Sequence, residues 1–181
     1  MDRFSGERLV ILVDKKDNST GIAEKLEAHR RGLLHRAVSV FVFNSAGEWV
    51  LQKRSYDKYH SGGLWSNACC THPMPGESEH DSARRRLVEE MGLSCEIRKL
   101  FTFIYKEKVD ADLYEHELDH VYAGYTDMDP VIEPSEVDDW KRMAFDELKT
   151  DVRRNPKNYT VWFRKIFRRV NKHITDLKQK S

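Results

Sequence analysis

The sequence predicts one α/β domain spanning residues 1–181. Of these 181 residues, 39% are hydrophobic and few are glycine or proline, which is typical of a compact domain without a long disordered part. Strand-like runs and helix-like patterns occur along the same chain, and we find no internal repeat and no interdomain linker. A chain of this length buries about 70% of the surface that its unfolded form exposes. We therefore expect a core that needs no disulfide or metal, so that any bound metal is functional.

The strand predictions rest on short runs rich in β-branched and aromatic residues and bounded by turn residues. Leu9–Val13 is the first such run, and a polar cluster at 14–19 closes it. Ala37–Phe43 and Glu48–Gln52 flank the turn Asn44–Gly47, an arrangement that favours a β-hairpin. Later strands are predicted at Ile97–Lys106, at Leu118–Tyr125 and around Trp140–Phe145.

A helix is predicted over Ser78–Met91. Ser78 is its N-cap, Asp81 lies three residues later in the capping-box position, and Gly92 ends it in the left-handed conformation. A buried stripe at i, i+4 and i+8 consists of Ala83, Leu87 and Met91. A second amphipathic pattern covers Tyr159–Leu177, whereas Glu24–Arg31 is a charged segment of helical or irregular structure.

The global charge selects no partner. The 31 basic and 30 acidic residues nearly cancel, so composition does not indicate a polyanion ligand. The last helical pattern contains several basic residues, such as Arg164, Arg168 and Arg169. Because the opposite stripe of this helix is apolar, a solvated helix face is favoured over a nucleic-acid-binding surface. We therefore expect no nucleic-acid partner.

Cysteine usage and hydropathy predict the compartment. The sequence contains three cysteines, Cys69, Cys70 and Cys95. An odd number with two adjacent residues is typical of free thiols in a reducing environment. The amino end does not resemble a signal peptide, and no apolar run approaches membrane-spanning length. These features predict a soluble, cytoplasmic protein without a membrane partner.

Carboxylates and imidazoles form a candidate metal set. Glu115 and Glu117 lie two residues apart at the start of a strand, so both share one face while His116 lies on the other. Like charges this close require a cation, and candidate partners that suit zinc or manganese are His29, His35 and His72. Five such ligands exceed the tetrahedral number of a closed structural zinc site. The alternative is that the histidines lie on the surface and the glutamates at an exposed strand end.

Cys70 and His72 are also two residues apart, so in an extended segment both side chains lie on one face. A nearby cation would lower the pKa of the Cys70 thiol and make a thiolate base or nucleophile available. The alternative for Cys70 is a small buried hydrophobe, which is the interpretation given to Cys69 and Cys95.

Residues 71–93 contain a degenerate form of the Nudix signature, in which a loop and a helix present carboxylates to magnesium on a diphosphate. The required spacing occurs at Glu77, Arg85, Glu89 and Glu90. The opening glycine falls at Thr71, and Arg86 replaces the glutamate that normally follows the signature arginine. A cation there argues against diphosphate hydrolysis, because a hydrolase needs these glutamates to hold the ions that activate water. Arg86 and Glu90 also have the i, i+4 spacing of an ordinary helix salt bridge.

Together with Cys70, His72 and the triplet 115–117, this cassette resembles type 1 isopentenyl-diphosphate isomerases, and the resemblance spans nearly the whole chain. Four further segments occur in the family's order: EKLEAH at 24–29, LHRA at 34–37, QKRS at 52–55 and WSNACCTHP at 65–73. The resemblance implies a Nudix-like fold, a mixed β-sheet sandwich flanked by helices in a single domain.

The resemblance also implies roles for individual residues. Cys70 and Glu117 would be the catalytic pair, with Tyr105 beside Glu117. A divalent metal, either manganese, zinc or magnesium, would be held by His29, His35, His72, Glu115 and Glu117. A magnesium ion on the substrate diphosphate would be bound by Glu90. The phosphates would be held by Lys25, Arg54, Lys58 and Arg86. The hydrocarbon tail would contact Trp162. The alternative for Trp162 is a core residue of an amphipathic helix.

The implied reaction converts isopentenyl to dimethylallyl diphosphate by adding one proton to the terminal alkene carbon and removing another beyond the branch. The expected partner is a small isoprenoid diphosphate, and the expected assembly is a monomer or a weak homodimer. Two alternatives remain open: a Nudix diphosphohydrolase on the same fold, and a noncatalytic metal-dependent binding module.

Overall fold

The computed structural model describes residues 9–179, apart from the side chain of Lys178. Residues 1–8, to which the expectation about a signal peptide applies, lie outside this range. The described strands are β1 (Leu9–Val13), β2 (Ser19–Glu24), β3 (His35–Phe43), β4 (Trp49–Arg54), β5 (Trp65–Ser66), β6 (Cys69–Thr71), β7 (Ile97–Asp110), β8 (Leu113–Tyr125) and β9 (Val137–Met143). The α-helices are α1 (Lys25–Arg31), α2 (Glu79–Met91), α3 (Phe145–Arg154) and α4 (Val161–Lys178). Within residues 9–179, no helix is long and apolar enough to cross a membrane.

β3 is the centre of a mixed nine-stranded sheet. It pairs antiparallel with β1, β4 and β6 and parallel with β8. β7 extends the sheet as the antiparallel partner of β8, and β9 does so as the partner of β4. The predicted mixed sheet with flanking helices is therefore confirmed.

The side chains of β3 alternate between two cores, one on each face of the sheet. Phe41 and Phe43 pack on one face against α3 and α4, in a cluster that includes Leu148, Phe163 and Phe167. Val38, Val40 and Val42 pack on the other face against α2, where the predicted stripe of Ala83, Leu87 and Met91 is buried. None of the three cysteines forms a disulfide, as expected.

Locally encoded elements match the prediction best. β1 has the predicted bounds, and α2 begins after Ser78, whose side chain accepts from the Asp81 backbone N–H, and ends at Gly92 with φ 62°. β7 and β8 form a longer hairpin than the predicted Ile97–Lys106 and Leu118–Tyr125, because charged residues continue the strand beyond its apolar part. β2 and α3 were not predicted, since β2 has no fully buried residue and α3 buries only Leu148 and Val152.

Candidate active site and metal centre

Strand register places the candidate catalytic residues on one face of the sheet. Glu117 of β8 lies opposite His35 of β3 on one side and opposite Tyr105 of β7 on the other. Cys70 of β6 lies opposite Ser39, two pleats along β3 from His35. Directly paired residues point to the same face, so these side chains converge although they are far apart in the sequence. Cys70, Tyr105 and Glu117 line one cleft with Lys25, Arg54 and Trp162, and its empty volume is about 560 Å³.

Two histidines are oriented by backbone carbonyls. The His29 Nδ1 lies 2.7 Å from the Lys25 carbonyl oxygen within α1, and the His35 Nδ1 lies 2.8 Å from the Leu33 carbonyl oxygen. A carbonyl oxygen only accepts, so Nδ1 carries the hydrogen in both rings and Nε2 of the neutral ring presents a lone pair. This arrangement is the usual outer support of a metal-binding histidine.

The remaining ligand candidates complete a buried group. One ligand atom each of His29, His35, His72 and Glu117 lies within 4.8 Å of the other three. The His72 Nε2 is 3.2 Å from the His35 Nε2 and 2.9 Å from the Glu117 Oε1. The structure therefore brings together the histidines and the glutamate that the sequence analysis proposed as a metal set. Nitrogen and oxygen donors at these separations fit a divalent cation.

Glu115 belongs to a second, overlapping group. This group contains His29, Glu115 and His60, a histidine that the sequence analysis did not identify. The Glu115 Oε1 lies 2.9 Å from the His60 Nε2, and its Oε2 lies 3.5 Å from the His29 Nε2. The Glu115 Oε2 is buried without a hydrogen-bond partner. An unpaired buried carboxylate oxygen beside an imidazole nitrogen is an observation that a bound cation explains.

Ionisation of these groups suits metal binding. Burial lowers the pKa of His72 to about 4, so the ring is neutral and able to ligate near pH 7. Burial and Glu115 act to raise the pKa of Glu117, but the contacts with His35 and His72 lower it overall. Burial likewise opposes ionisation of Glu115, yet its contacts with the His29 and His60 imidazoles hold its pKa well below the usual range.

Cys70 carries its proton at neutral pH. Burial and the Asp119 carboxyl raise the pKa of its thiol to about 12. The sequence-based expectation that a cation lowers this pKa is therefore opposed by burial. The Cys70 Sγ donates to the Asn67 Oδ1 at 3.2 Å and lies 3.6 Å from the Ser39 Oγ, whose hydroxyl donates to Asp119 at 2.7 Å. Asn67, Ser39 and Asp119 were not identified from the sequence.

The four basic residues proposed for phosphate binding line the same cleft, and two of them, Lys58 and Arg86, are already paired with carboxylates. Arg86 bonds to Glu90 at 2.7 Å and to Glu136 at 3.1 Å, and Lys58 forms an ion pair with the same Glu136. The Arg54 guanidinium lies 5.2 Å from the Trp162 ring centroid. Glu136 holds two of the proposed phosphate cations in place, and no local sequence pattern indicated it.

Glu90 and Trp162 have structural contacts besides their proposed roles. Glu90 is 3% exposed and accepts from the Gln52 side chain at 2.9 Å as well as from Arg86, and it belongs to none of the three candidate metal groups among the described residues. Trp162 is both a core residue and part of the cleft wall, and its indole N–H donates to the Ser66 Oγ at 3.0 Å. The magnesium-binding role of Glu90 and the contact of Trp162 with the hydrocarbon stay predictions.

Comparison with known proteins identifies relatives of the whole chain. The sequence profile described as NUDIX domain matches residues 33–168. Isopentenyl-diphosphate Delta-isomerase 2 of Aromatoleum aromaticum is 53% identical over 164 residues, which cover 91% of this chain and 87% of that protein. Isopentenyl-diphosphate Delta-isomerase of Pectobacterium atrosepticum is 49% identical over 161 residues, covering 89% of this chain and 90% of the relative.

Solved structures show the same fold at low sequence identity. A Deinococcus radiodurans protein superposes with a TM-score of 0.66 at 18% identity, covering 81% of this chain and 90% of its own. The MutT protein of Methanosarcina mazei does so with a TM-score of 0.63 at 18% identity, covering 77% and 94%. These likenesses confirm the Nudix-like fold and carry no information on the reaction.

Proposed function

The chain belongs to the isopentenyl-diphosphate Delta-isomerases of the NUDIX domain family, and we propose that Cys70 and Glu117 carry out the two proton transfers of its reaction. The enzyme isomerises isopentenyl diphosphate to dimethylallyl diphosphate. One proton is added to the terminal alkene carbon and one is removed from the carbon on the far side of the branch, so the diphosphate ester stays intact. The observation that carries the proposal is the register that brings Cys70, Tyr105 and Glu117 to one cleft.

The protonation states of the pair suit these two steps. Cys70 is a thiol and Glu117 is ionised near neutral pH, so one group carries a proton and the other has an acceptor oxygen. A protonation and a deprotonation at the two ends of an allyl unit require such a pair. Tyr105 donates to the Glu117 Oε2 at 2.7 Å and thereby fixes the carboxylate.

The metal centre would support Glu117 as the proton acceptor of the pair. A divalent cation held by the imidazoles and carboxylates described above would supply positive charge beside the Glu117 carboxyl and so favour its ionised form. Three imidazoles favour manganese or zinc over magnesium at this centre, because magnesium prefers oxygen ligands. Glu117 would be one of the residues that hold such an ion, while its Oε2 accepts from Tyr105.

Substrate binding supplies orientation and no chemistry. Lys25, Arg54, Lys58 and Arg86 provide the cations for the diphosphate, and charge-assisted bonds of this kind anchor such a group. A magnesium ion at Glu90 would share that charge.

Trp162 offers a π-face to the developing carbocation, an interaction worth on the order of 2 kcal/mol when desolvated. The binding energy of the diphosphate, which is remote from the reacting carbons, then holds the small hydrocarbon in a reactive pose. We propose that one domain, acting as a monomer or weak homodimer without nucleic acid, is sufficient.

The test follows isopentenyl diphosphate with the metal-loaded enzyme by proton and phosphorus NMR. We expect dimethylallyl diphosphate with its diphosphate intact and no phosphate release. Release of phosphate from isopentenyl or nucleoside diphosphates at enzymatic rates would instead identify a hydrolase. A Cys70→Ala variant with undiminished turnover would remove Cys70 from the mechanism, and absence of any turnover would favour a binding module.

A further inference from the structure

We propose that His60 is a positioning residue for the metal centre, holding one oxygen of Glu115 so that the other faces the ion. This inference rests on the proposed metal centre, and it adds a residue from the loop at 55–64 that lies between β4 and β5. His60 lines the cleft with Glu115 and is buried, with 7% of its surface exposed.

The two oxygens of Glu115 have different surroundings. The Oε1 lies 2.9 Å from the His60 Nε2, whereas the Oε2 has no hydrogen-bond partner and lies 3.5 Å from the His29 Nε2. A carboxylate rotates freely unless one oxygen is fixed, so the His60 contact determines where the unpaired oxygen points. It points toward His29, which belongs to both of the candidate metal groups that line this part of the fold.

The His60 ring is itself fixed through both of its nitrogens. Its Nδ1 lies 3.2 Å from the Ser61 Oγ while its Nε2 is engaged with Glu115, so both ring nitrogens have partners. A side chain with no remaining lone pair for the ion acts on a ligand and does not replace it. Hydrogen bonds of this outer kind orient ligating carboxylates and contribute to metal affinity.

The loop backbone holds His60 in this orientation. Ser61 has φ +53°, a left-handed conformation that a residue with a side chain adopts only where its surroundings impose it. Gly62 packs so tightly that a Cβ there would lie 2.8 Å from the Tyr56 carbonyl oxygen. The same loop contains Lys58, so His60 connects the segment that carries a proposed phosphate cation to the metal centre.

The test measures the affinity of the purified apoprotein for Mn²⁺ and Zn²⁺ by competition with a chromophoric chelator. We expect His60→Phe to weaken binding about 10- to 100-fold and His60→Gln, whose amide N–H can still donate, to weaken it less. His80→Gln, which replaces a half-exposed histidine on α2, is the matched control and should bind as the wild type does. Equal affinity of His60→Phe and the wild type would overturn the inference.

A double-mutant cycle separates positioning from a general structural effect. If His60 acts through Glu115, then His60→Phe should have no further effect on metal affinity in a Glu115→Ala background. A full additional loss there would show that His60 acts by another route and would overturn the inference. If His60→Phe does not fold, the same cycle with His60→Gln gives the answer. The variant His72→Ala tests the metal centre itself. Undiminished metal affinity in His72→Ala would refute the proposed metal centre. A loss of affinity in His72→Ala with unchanged affinity in His60→Phe would refute only the role of His60.

Discussion

The Tyr105 hydroxyl donates a 2.7 Å hydrogen bond to the Glu117 Oε2, and the two residues lie directly opposite each other in the β7–β8 pair. Burial and the nearby Glu117 carboxylate raise the pKa of the Tyr105 phenol well above 10. The hydroxyl therefore stays a donor at neutral pH, and it fixes one carboxylate oxygen while His72 contacts the other.

Replacing this donor should impair catalysis more than folding. A hydrogen bond to a charged group contributes about 1.5–3 kcal/mol, so Tyr105→Phe should lower kcat by about 10- to 100-fold if the bond acts in the transition state. Tyr122→Phe, on the opposite face of β8, is the control and should leave kcat unchanged. Steady-state kinetics measures both, and an unchanged kcat in Tyr105→Phe would contradict this role.

Removing the metal should destabilise the protein and stop turnover. An ion present at about 100 times its Kd stabilises the folded state by about 2.7 kcal/mol, which corresponds to a Tm change of about 5–10 °C for a chain of this size. We expect chelator treatment to lower Tm by this amount, and added manganese or zinc to restore it. Glu117→Gln should show a smaller metal-dependent shift, and a shift equal to that of the wild type would place the ion elsewhere.

The raised pKa of Cys70 predicts slow alkylation of the metal-free protein. A raised pKa favours the thiol, and with a pKa of about 12 only about one thiol in 10⁴ is ionised at pH 8. Iodoacetamide should therefore label Cys70 far more slowly in the folded protein than in denaturant, with the folded rate rising up to about pH 12. Peptide mass spectrometry follows the residue, and a plateau near pH 9 would show an ordinary thiol.

Arg86 should be important for stability as well as for phosphate binding. It is 5% exposed and bonds to Glu90 and Glu136, so Arg86→Leu leaves the buried Glu90 carboxylate without this cation. Losing one partner of a buried ion pair costs about 3–5 kcal/mol. Arg84→Leu, at an exposed position of the same helix, should change stability by no more than about 0.5 kcal/mol. Urea denaturation distinguishes these outcomes, and a stable Arg86→Leu protein would be unexpected.

Local signals in the sequence predicted what local physics determines. The caps of α2 at Ser78 and Gly92 follow from residues within the helix, and the shared face of Glu115 and Glu117 follows from strand periodicity. The convergence of His35 and His72 depends on the pairing of β3 with β6 and β8, and that of His29 on the packing of α1 against β8, none of which periodicity encodes. Their grouping was inferred from ligand chemistry and from the family resemblance.

Residues that act through distant partners were not found from the sequence. His60 lies in a polar loop next to Gly62, where an isolated histidine resembles a surface residue, and its contact with Glu115 spans the fold. Asp119 lies two residues after Glu117 on the same face of β8, so periodicity contained a signal for it that was not used. Glu136 precedes β9 and reaches Lys58 and Arg86 only in the folded chain.

If Cys70 and Glu117 exchange protons with the substrate from one cleft, solvent hydrogen must enter the product. Isopentenyl diphosphate incubated in deuterated water with the metal-loaded enzyme should give dimethylallyl diphosphate carrying deuterium, observed by NMR. Cys70→Ser and Glu117→Gln should each lower the rate of deuterium incorporation by about 10²- to 10⁴-fold, whereas Cys95→Ser should match the wild type. A wild-type rate in either Cys70→Ser or Glu117→Gln would show that the replaced residue transfers no proton in this reaction.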